Sequence, residues 1–206
     1  HSKSSGASLH SQKEALLKCL CESMERYCNF FFKKESTFTT KSINHMNCDF
    51  VDPRSISAFS KNQLKKDEFK KFRIDNNSVF RWTDCISLLV DKQYLIPSQF
   101  IYLSYPYLKN EPSIYSAIST GVAGGANISA AIVRGICEVV ERDSFMIFYL
   151  NKITPSKINL RNIDNPEIRK LQLILDRYKF EVVVLDITTD IKIPTIASII
   201  INRSGI

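Results

Sequence analysis

The chain has 206 residues, a net charge of +7, 44% hydrophobic residues and 24% charged residues. That balance excludes a disordered chain, and the length suffices for one core or for two pseudo-repeated lobes. No apolar run reaches the length of a membrane span, no signal peptide is visible at the start, and the cysteines form no Cys-x-x-Cys pair, which excludes a zinc ribbon and fits reduced, cytoplasmic thiols.

A helix is expected over residues 11–33, with Ser11 as N-cap and Glu14 at the third helical position in a capping-box pattern. Residues 36–60 are polar and turn-rich, with a break at Asp52-Pro53. A short basic helix is expected over 61–72. Its Lys65, Lys66, Lys70 and Lys71 read as a solvated face, and Phe69 and Phe72 as core anchors. Binding of an acidic peptide or of nucleic acid is the other reading of that charge, although the stretch carries no recognised nucleic-acid motif. Strands are expected over 79–90 and 93–105, joined as a hairpin around Asp91-Lys92, with Pro97 marking an edge or a strand end. A further strand over 115–120 would deliver the small-residue loop Ser119-Thr120-Gly121-Val122-Ala123-Gly124-Gly125 to a second helix over 128–150. Pro155 closes that region. Asn165-Pro166 opens a third helix reaching Tyr178, and strands follow over 180–187 and 193–201. The class is therefore α/β, with helices on largely antiparallel sheet. The last helix and two strands read as scaffold.

The helices over 11–33 and 128–150 say the same thing twice. Glu22, Glu25 and Arg26 recur at one constant offset as Glu138, Glu141 and Arg142, and Lys18 recurs as Arg134. On 3.6 residues per turn, Arg134, Glu138, Glu141 and Arg142 share one helix face. Each copy follows a loop of small residues, the first being Ser4-Ser5-Gly6-Ala7-Ser8. Almost every other position of the second helix is apolar, so the helix is expected to be buried with its stripe on a polar cleft. Cys21 and Cys137 recur between the copies and are expected as buried thiols. The bland reading of the stripe is a set of i,i+4 ion pairs. The sharper reading is a nucleotide–metal site. Mg2+ takes oxygen ligands and is shared between carboxylates and phosphates, and a small-residue loop at a helix start offers N–H groups to phosphate. Arginines then serve as phosphate contacts.

At these residues the chain resembles the YcaO-domain family. Its first ATP-binding signature matches Gly6-Ala7-Ser8-Leu9 through Glu22, Glu25, Arg26 and Tyr27. Its second matches Ser119 to Gly125 through Glu138, Glu141, Arg142 and Asp143. Asp52-Pro53, a strand bearing Trp82, and Ile96-Pro97 lie between. The resemblance implies a YcaO-like fold, with pseudo-repeated loop–helix units at about 4–33 and 119–150. It also implies an enzyme that uses ATP and Mg2+ to activate a backbone amide of a ribosomal precursor peptide. The product would be a thiazoline or oxazoline ring, or a thioamide. No catalytic residue is required of the protein, because the substrate supplies the nucleophile. By the same resemblance Glu22, Glu25, Glu138 and Glu141 are candidate metal ligands. Ser8, Lys18, Arg26, Gly124 and Arg142 are candidate ATP or phosphate contacts. A leader-recognition or ubiquitin-activating-enzyme-like partner protein is implied, and a homodimer is compatible with the family.

The chain departs from the family pattern at three places. Lys18 stands where many members carry a small polar residue, and either contacts phosphate or pairs with Glu22. Ser8 and its neighbours replace a basic residue. Ser129-Ala130-Ala131 stands where an early carboxylate is usual. The family domain also normally runs further, so the chain is expected to be the N-terminal and central part of one such domain. A degenerate, non-catalytic scaffold that docks a leader peptide or partner subunit is the alternative reading.

Overall fold

The computed structural model describes residues 4–30, 38–56 and 58–204. They fall into two compact units, His1–Gly124 and Gly125–Ile206.

In the first unit α1 runs Gln12–Phe30, followed by β1 (Thr39–Ser42), a single-turn helix α2 (Lys61–Leu64), β2 (Val79–Ser87) and β3 (Lys92–Pro97). The three strands form an antiparallel sheet in the order β1-β2-β3. Trp82 in the central strand lies opposite Thr39 on one side and Pro97 on the other. β2 carries the core because its alternation puts Phe80 and Trp82 on one face, where they meet Ile43 and Ile114. Edge-on contacts join Trp82 to Phe50 and Phe80 at 5.4 and 5.8 Å, and its indole N–H donates to the Lys41 carbonyl.

Polar buried side chains surround the adjoining loop. Arg81 donates to the Pro106 carbonyl at 2.7 Å, and Thr83 bonds Ser98. The Glu111 carboxylate accepts from the Tyr105 hydroxyl, the Gln99 amide and the Leu108 N–H. The Gln99 side chain in turn bonds the Ile114 N–H and the Pro112 carbonyl. Burial pushes the Glu111 carboxyl up from its ordinary value although its donors pull it down, and burial with the Glu111 charge pushes the Tyr105 phenol up. This network fixes residues 105–114, the segment that leads into the second small-residue loop.

The second unit holds α3 (Ile128–Leu150), β4 (Ser156–Ile158), α4 (Pro166–Arg177), β5 (Phe180–Asp186) and β6 (Ile196–Asn202). Its sheet is antiparallel in the order β4-β5-β6. α4 starts where the sequence signals it: the Asn165 side chain accepts from the N–H groups of Glu167 and Ile168, and Pro166 takes the first turn.

Several expectations change. The long basic helix breaks into α2 and a 3-10 segment at Asp67–Phe72, because the Arg73 guanidinium donates to the carbonyls of Leu64, Lys65 and Lys66 and caps the first piece. Phe69 and Phe72 cluster with Phe59, at 5.0 and 4.4 Å, apart from the Trp82 core. β3 ends at Pro97, where a 3-10 turn over Ser98–Phe100 begins, and residues 115–120 form no strand. The hairpin turns through Leu88–Asp91, with Asp91 at φ 49° and Lys92 already paired with Ser87. β4 was not foreseen. The end of the first expected helix, residues 31–33, lies outside the described residues.

The burial expectation for the two helices is also corrected. α1 has no buried residue, and in α3 only Gly135, Val140 and Ser144 are buried. Cys21 and Cys137 are exposed. Within these two units neither helix is surrounded, so an all-round apolar sequence does not become a core helix here.

Candidate functional site

The first copy is built by its loop running back along α1. Gly6 lies against the helix backbone: a Cβ there would stand 2.0 Å from the Ala15 carbonyl oxygen and 2.6 Å from the Cys19 nitrogen. Only glycine permits that approach. The approach brings the Ser5 N–H within 2.7 Å of Glu22, and the Ser4 and Ser23 hydroxyls within 2.5 Å of each other. Glu22 also accepts from both Nε and Nη2 of Arg26, at 3.1 and 2.8 Å. The Ser5 amide, then the Arg26 guanidinium, hold the Glu22 carboxyl below its ordinary value.

Ser11 caps α1, with the Glu14 N–H donating to its hydroxyl at 3.1 Å. The expected return bond from Glu14 to Ser11 is replaced. The Glu14 carboxylate takes the Ser8 hydroxyl at 2.6 Å and the Lys18 ammonium at 2.8 Å, while Ser8 accepts from the His10 and Ser11 N–H groups. Lys18 and then Ser8 lower the Glu14 carboxyl. Lys18 thus pairs with Glu14 and the Ala7 carbonyl rather than with Glu22. Glu14 is the residue that sequence reasoning missed at this site. The signal was its proximity in sequence to both Ser8 and Lys18, which the capping-box reading used up.

The second small-residue loop reaches the same helix. The Gly124 N–H donates to Glu25 at 2.8 Å, a contact between residues 99 positions apart. Amides of both loops therefore meet the two α1 glutamates of the stripe: Ser5 at Glu22 and Gly124 at Glu25.

In the second unit Gly125 lies against the start of α3, where a Cβ would stand 2.6 Å from the Ala131 nitrogen. Asn127 caps the helix by accepting from the Ala130 N–H at 2.9 Å. Glu138 pairs with Arg142 at 3.6 Å. Glu141 makes no hydrogen bond or ion pair within its unit among the described residues. The structure thus groups Glu22, Glu25, Arg26, Lys18, Ser8 and Gly124 around α1, and Glu138, Glu141 and Arg142 along α3.

No group of three or more His, Cys, Asp or Glu side chains able to hold a metal is present among the described residues. Each unit offers a pair of stripe glutamates. All four are oxygen donors, which suits Mg2+ bound by one or two carboxylates and completed by phosphate oxygens and water. The donor set therefore fits Mg2+ shared with a nucleotide, and does not fit a self-contained protein cage. No helix among the described residues is long and apolar enough to cross a membrane.

Comparison with known proteins gives one consistent family. The family model described as YcaO cyclodehydratase, ATP- and Mg2+-binding, matches residues 7–205. Among solved structures, a heterocyclase in complex with substrate and cofactor aligns with a TM-score of 0.83 at 23% identity, covering 98% of this chain and 28% of that one. The heterocyclase TruD aligns with a TM-score of 0.78 at 25% identity, covering 92% and 29%. A YcaO protein of Methanopyrus kandleri bound with AMPPCP and Mg2+ aligns with a TM-score of 0.58 at 18% identity, covering 85% and 39%. An uncharacterized protein of Methanothermobacter thermautotrophicus is 24% identical over 186 residues, which are 90% of this chain and 45% of the relative. The chain spans less than half the length of the curated relatives it matches.

Proposed function

Because the chain belongs to the YcaO family, whose members bind ATP and Mg2+, we propose that its protein activates a backbone amide of a ribosomal precursor peptide. In that reaction a Cys, Ser or Thr side chain of the peptide attacks the preceding carbonyl carbon and gives up its proton. The resulting oxyanion takes a phosphoryl group. Phosphate then leaves with the former amide oxygen, the amide nitrogen loses its proton, and a thiazoline or oxazoline ring with a C=N bond remains. External sulfide in place of the side chain gives a thioamide. ATP supplies the phosphoryl group, and Mg2+ neutralises its charge.

The chain's own residues position and neutralise, which is most of what a protein does in phosphoryl transfer. Glu22 and Glu25 in the first unit would serve as metal ligands, and so would Glu138 and Glu141 in the second. Arg26, Arg142 and Lys18 would meet phosphate oxygens, with the Ser8 hydroxyl and the Gly124 amide as neutral donors. The observation that supports this reading best is the convergence of amides from both small-residue loops on Glu22 and Glu25. Donors now spent on carboxylates are the ones a phosphate accepts, and carboxylates so released are free for the cation. The cytoplasm, a precursor peptide and a leader-recognition or ubiquitin-activating-enzyme-like partner complete the proposal. A heterocyclase with bound substrate among the structural neighbours supports the peptide.

One observation favours the scaffold reading. Ala130 sits in the first turn of α3, where its N–H is already taken by Asn127 and no carboxylate is supplied. Calorimetry with Mg-ATP separates the two readings, since a scaffold takes up none. For the enzyme, Glu25→Gln and Glu141→Gln are each expected to lower ATP turnover of the full-length protein by about 100-fold or more, the scale of losing one preorganised electrostatic contact. The urea midpoint should stay unchanged. Full turnover in a folded double variant rejects these residues as metal ligands.

A further inference from the structure

Among the described residues, the backbone of β5 has an open edge. In its pairing with β6, the Lys179 carbonyl accepts from the Arg203 N–H at 2.9 Å, and the Ile187 N–H donates to the Thr195 carbonyl at 3.0 Å. The register between these bonds runs from Phe180 opposite Asn202 to Asp186 opposite Ile196. Odd-numbered residues of β5 therefore turn their peptide groups to β6, and even-numbered ones turn theirs the other way. On that other side β4 is only three residues long and meets Val184 and Asp186. After Ile158 the chain leaves the sheet, since the Asn159 side chain caps a 3-10 turn over Leu160–Asn162. Phe180 and Val182 therefore have no strand partner on that side among the described residues, and both line a groove of about 770 Å³ that the 3-10 turn and α4 also line.

That groove is basic. Lys157, Arg161, Arg169 and Arg203 line it, against Glu181 and Asp176. Glu181 is shared by Lys157 at 3.7 Å and Arg203 at 3.0 Å, so one carboxylate meets two cations. Arg169 is held by Asp164, and Arg161 has no carboxylate partner among the described residues. None of the nine candidate site residues lines it.

We propose that this groove binds an extended acidic peptide segment, which adds as a strand to the open edge of β5 at Phe180 and Val182 while its carboxylates meet Arg161, Arg169, Lys157 and Arg203. Main-chain bonds provide the attraction, as in other edge-strand additions, and the basic rim selects the charge. The net charge of +7 steers such a partner in the same direction. This inference stands apart from the nucleotide reading, because neither its residues nor its readout involve ATP.

The test is fluorescence anisotropy of the 206-residue chain with a short labelled peptide alternating glutamate and valine. Its lysine-for-glutamate counterpart and a version N-methylated at alternate residues are the controls. Binding of the acidic peptide alone is expected. Loss of about tenfold in affinity should follow both from N-methylation and from the R161E/R169E double variant. Val182→Pro removes one edge N–H without touching the bonds to β6, so it should weaken binding in a folded chain. Equal binding of the lysine peptide overturns the charge assignment. Full binding of the N-methylated peptide overturns the strand addition, and no binding of the acidic peptide overturns the proposal.

Discussion

The two copies of the loop–helix motif differ in what holds their glutamates. Around α1, the loop folds back along the helix, and its groups engage Glu22, Glu14 and Lys18, while the second loop engages Glu25. Along α3, Gly125 and Asn127 secure only the first turn, and Glu138 has its neighbour Arg142. A repeated sequence stripe is therefore set in two different environments. The lesson is that i,i+4 spacing specifies the ion pairs within each helix, whereas the loop path specifies which carboxylates receive amides.

The glycines probe the common part of the comparison and carry the largest effect. Gly6→Ala and Gly125→Ala should each destabilise by about 1–3 kcal/mol, since a Cβ would overlap helix backbone that cannot move aside. Urea titration checks this. Equal losses at the two sites would show that both loops are equally committed to their helices. A loss at Gly6 alone would sharpen the contrast.

The caps come next. Asn127→Ala should cost about 1 kcal/mol, because its side chain is the one cap of the first α3 turn. Ser11→Ala should cost less, because Ser8 and Glu14 still tie the loop to the start of α1. Thermal denaturation of both variants orders them. A larger cost at Ser11 would break the view that the first copy has redundant ties.

The smallest effect is acid dependence. The folded-state carboxyl of Glu22 lies below its ordinary 4.5. Its contribution to stability is therefore fully present above that ordinary value and is lost as pH falls below 4.5 through the folded value. Glu22→Gln should flatten the urea-midpoint profile in that acid range and leave the neutral range little changed. A profile identical to the parent's would remove the Ser5–Glu22 contact from the account.

How far the sequence reached varies by element. α3, α4 and the Asn165-Pro166 start were readable because caps and 3.6-residue periodicity are local. The β2–β3 hairpin was readable from its alternation, but its turn lies earlier than expected and its second strand stops short of Tyr105, because alternation alone does not say where a 3-10 turn such as Ser98–Phe100 takes over. The break in residues 61–72 was not, because it depends on Arg73 reaching back to three carbonyls. The exposure of Cys21 and Cys137 was not, because an apolar composition says that a helix seeks burial but not whether neighbours supply it.

By itself the sequence determined the two helices, their charged stripes and the glycine-bearing loops before them, and with these the family. Those properties rest on dihedral preference, side-chain spacing and the absence of a Cβ, all written within a turn or two. Only the tertiary structure decided that Ser8 and Lys18 meet at Glu14, that Gly124 reaches Glu25 across 99 residues, and that β4 stops short of Phe180. A hydrogen-bond donor takes whichever acceptor packing brings within about 3 Å, and packing sums over residues that no local window contains.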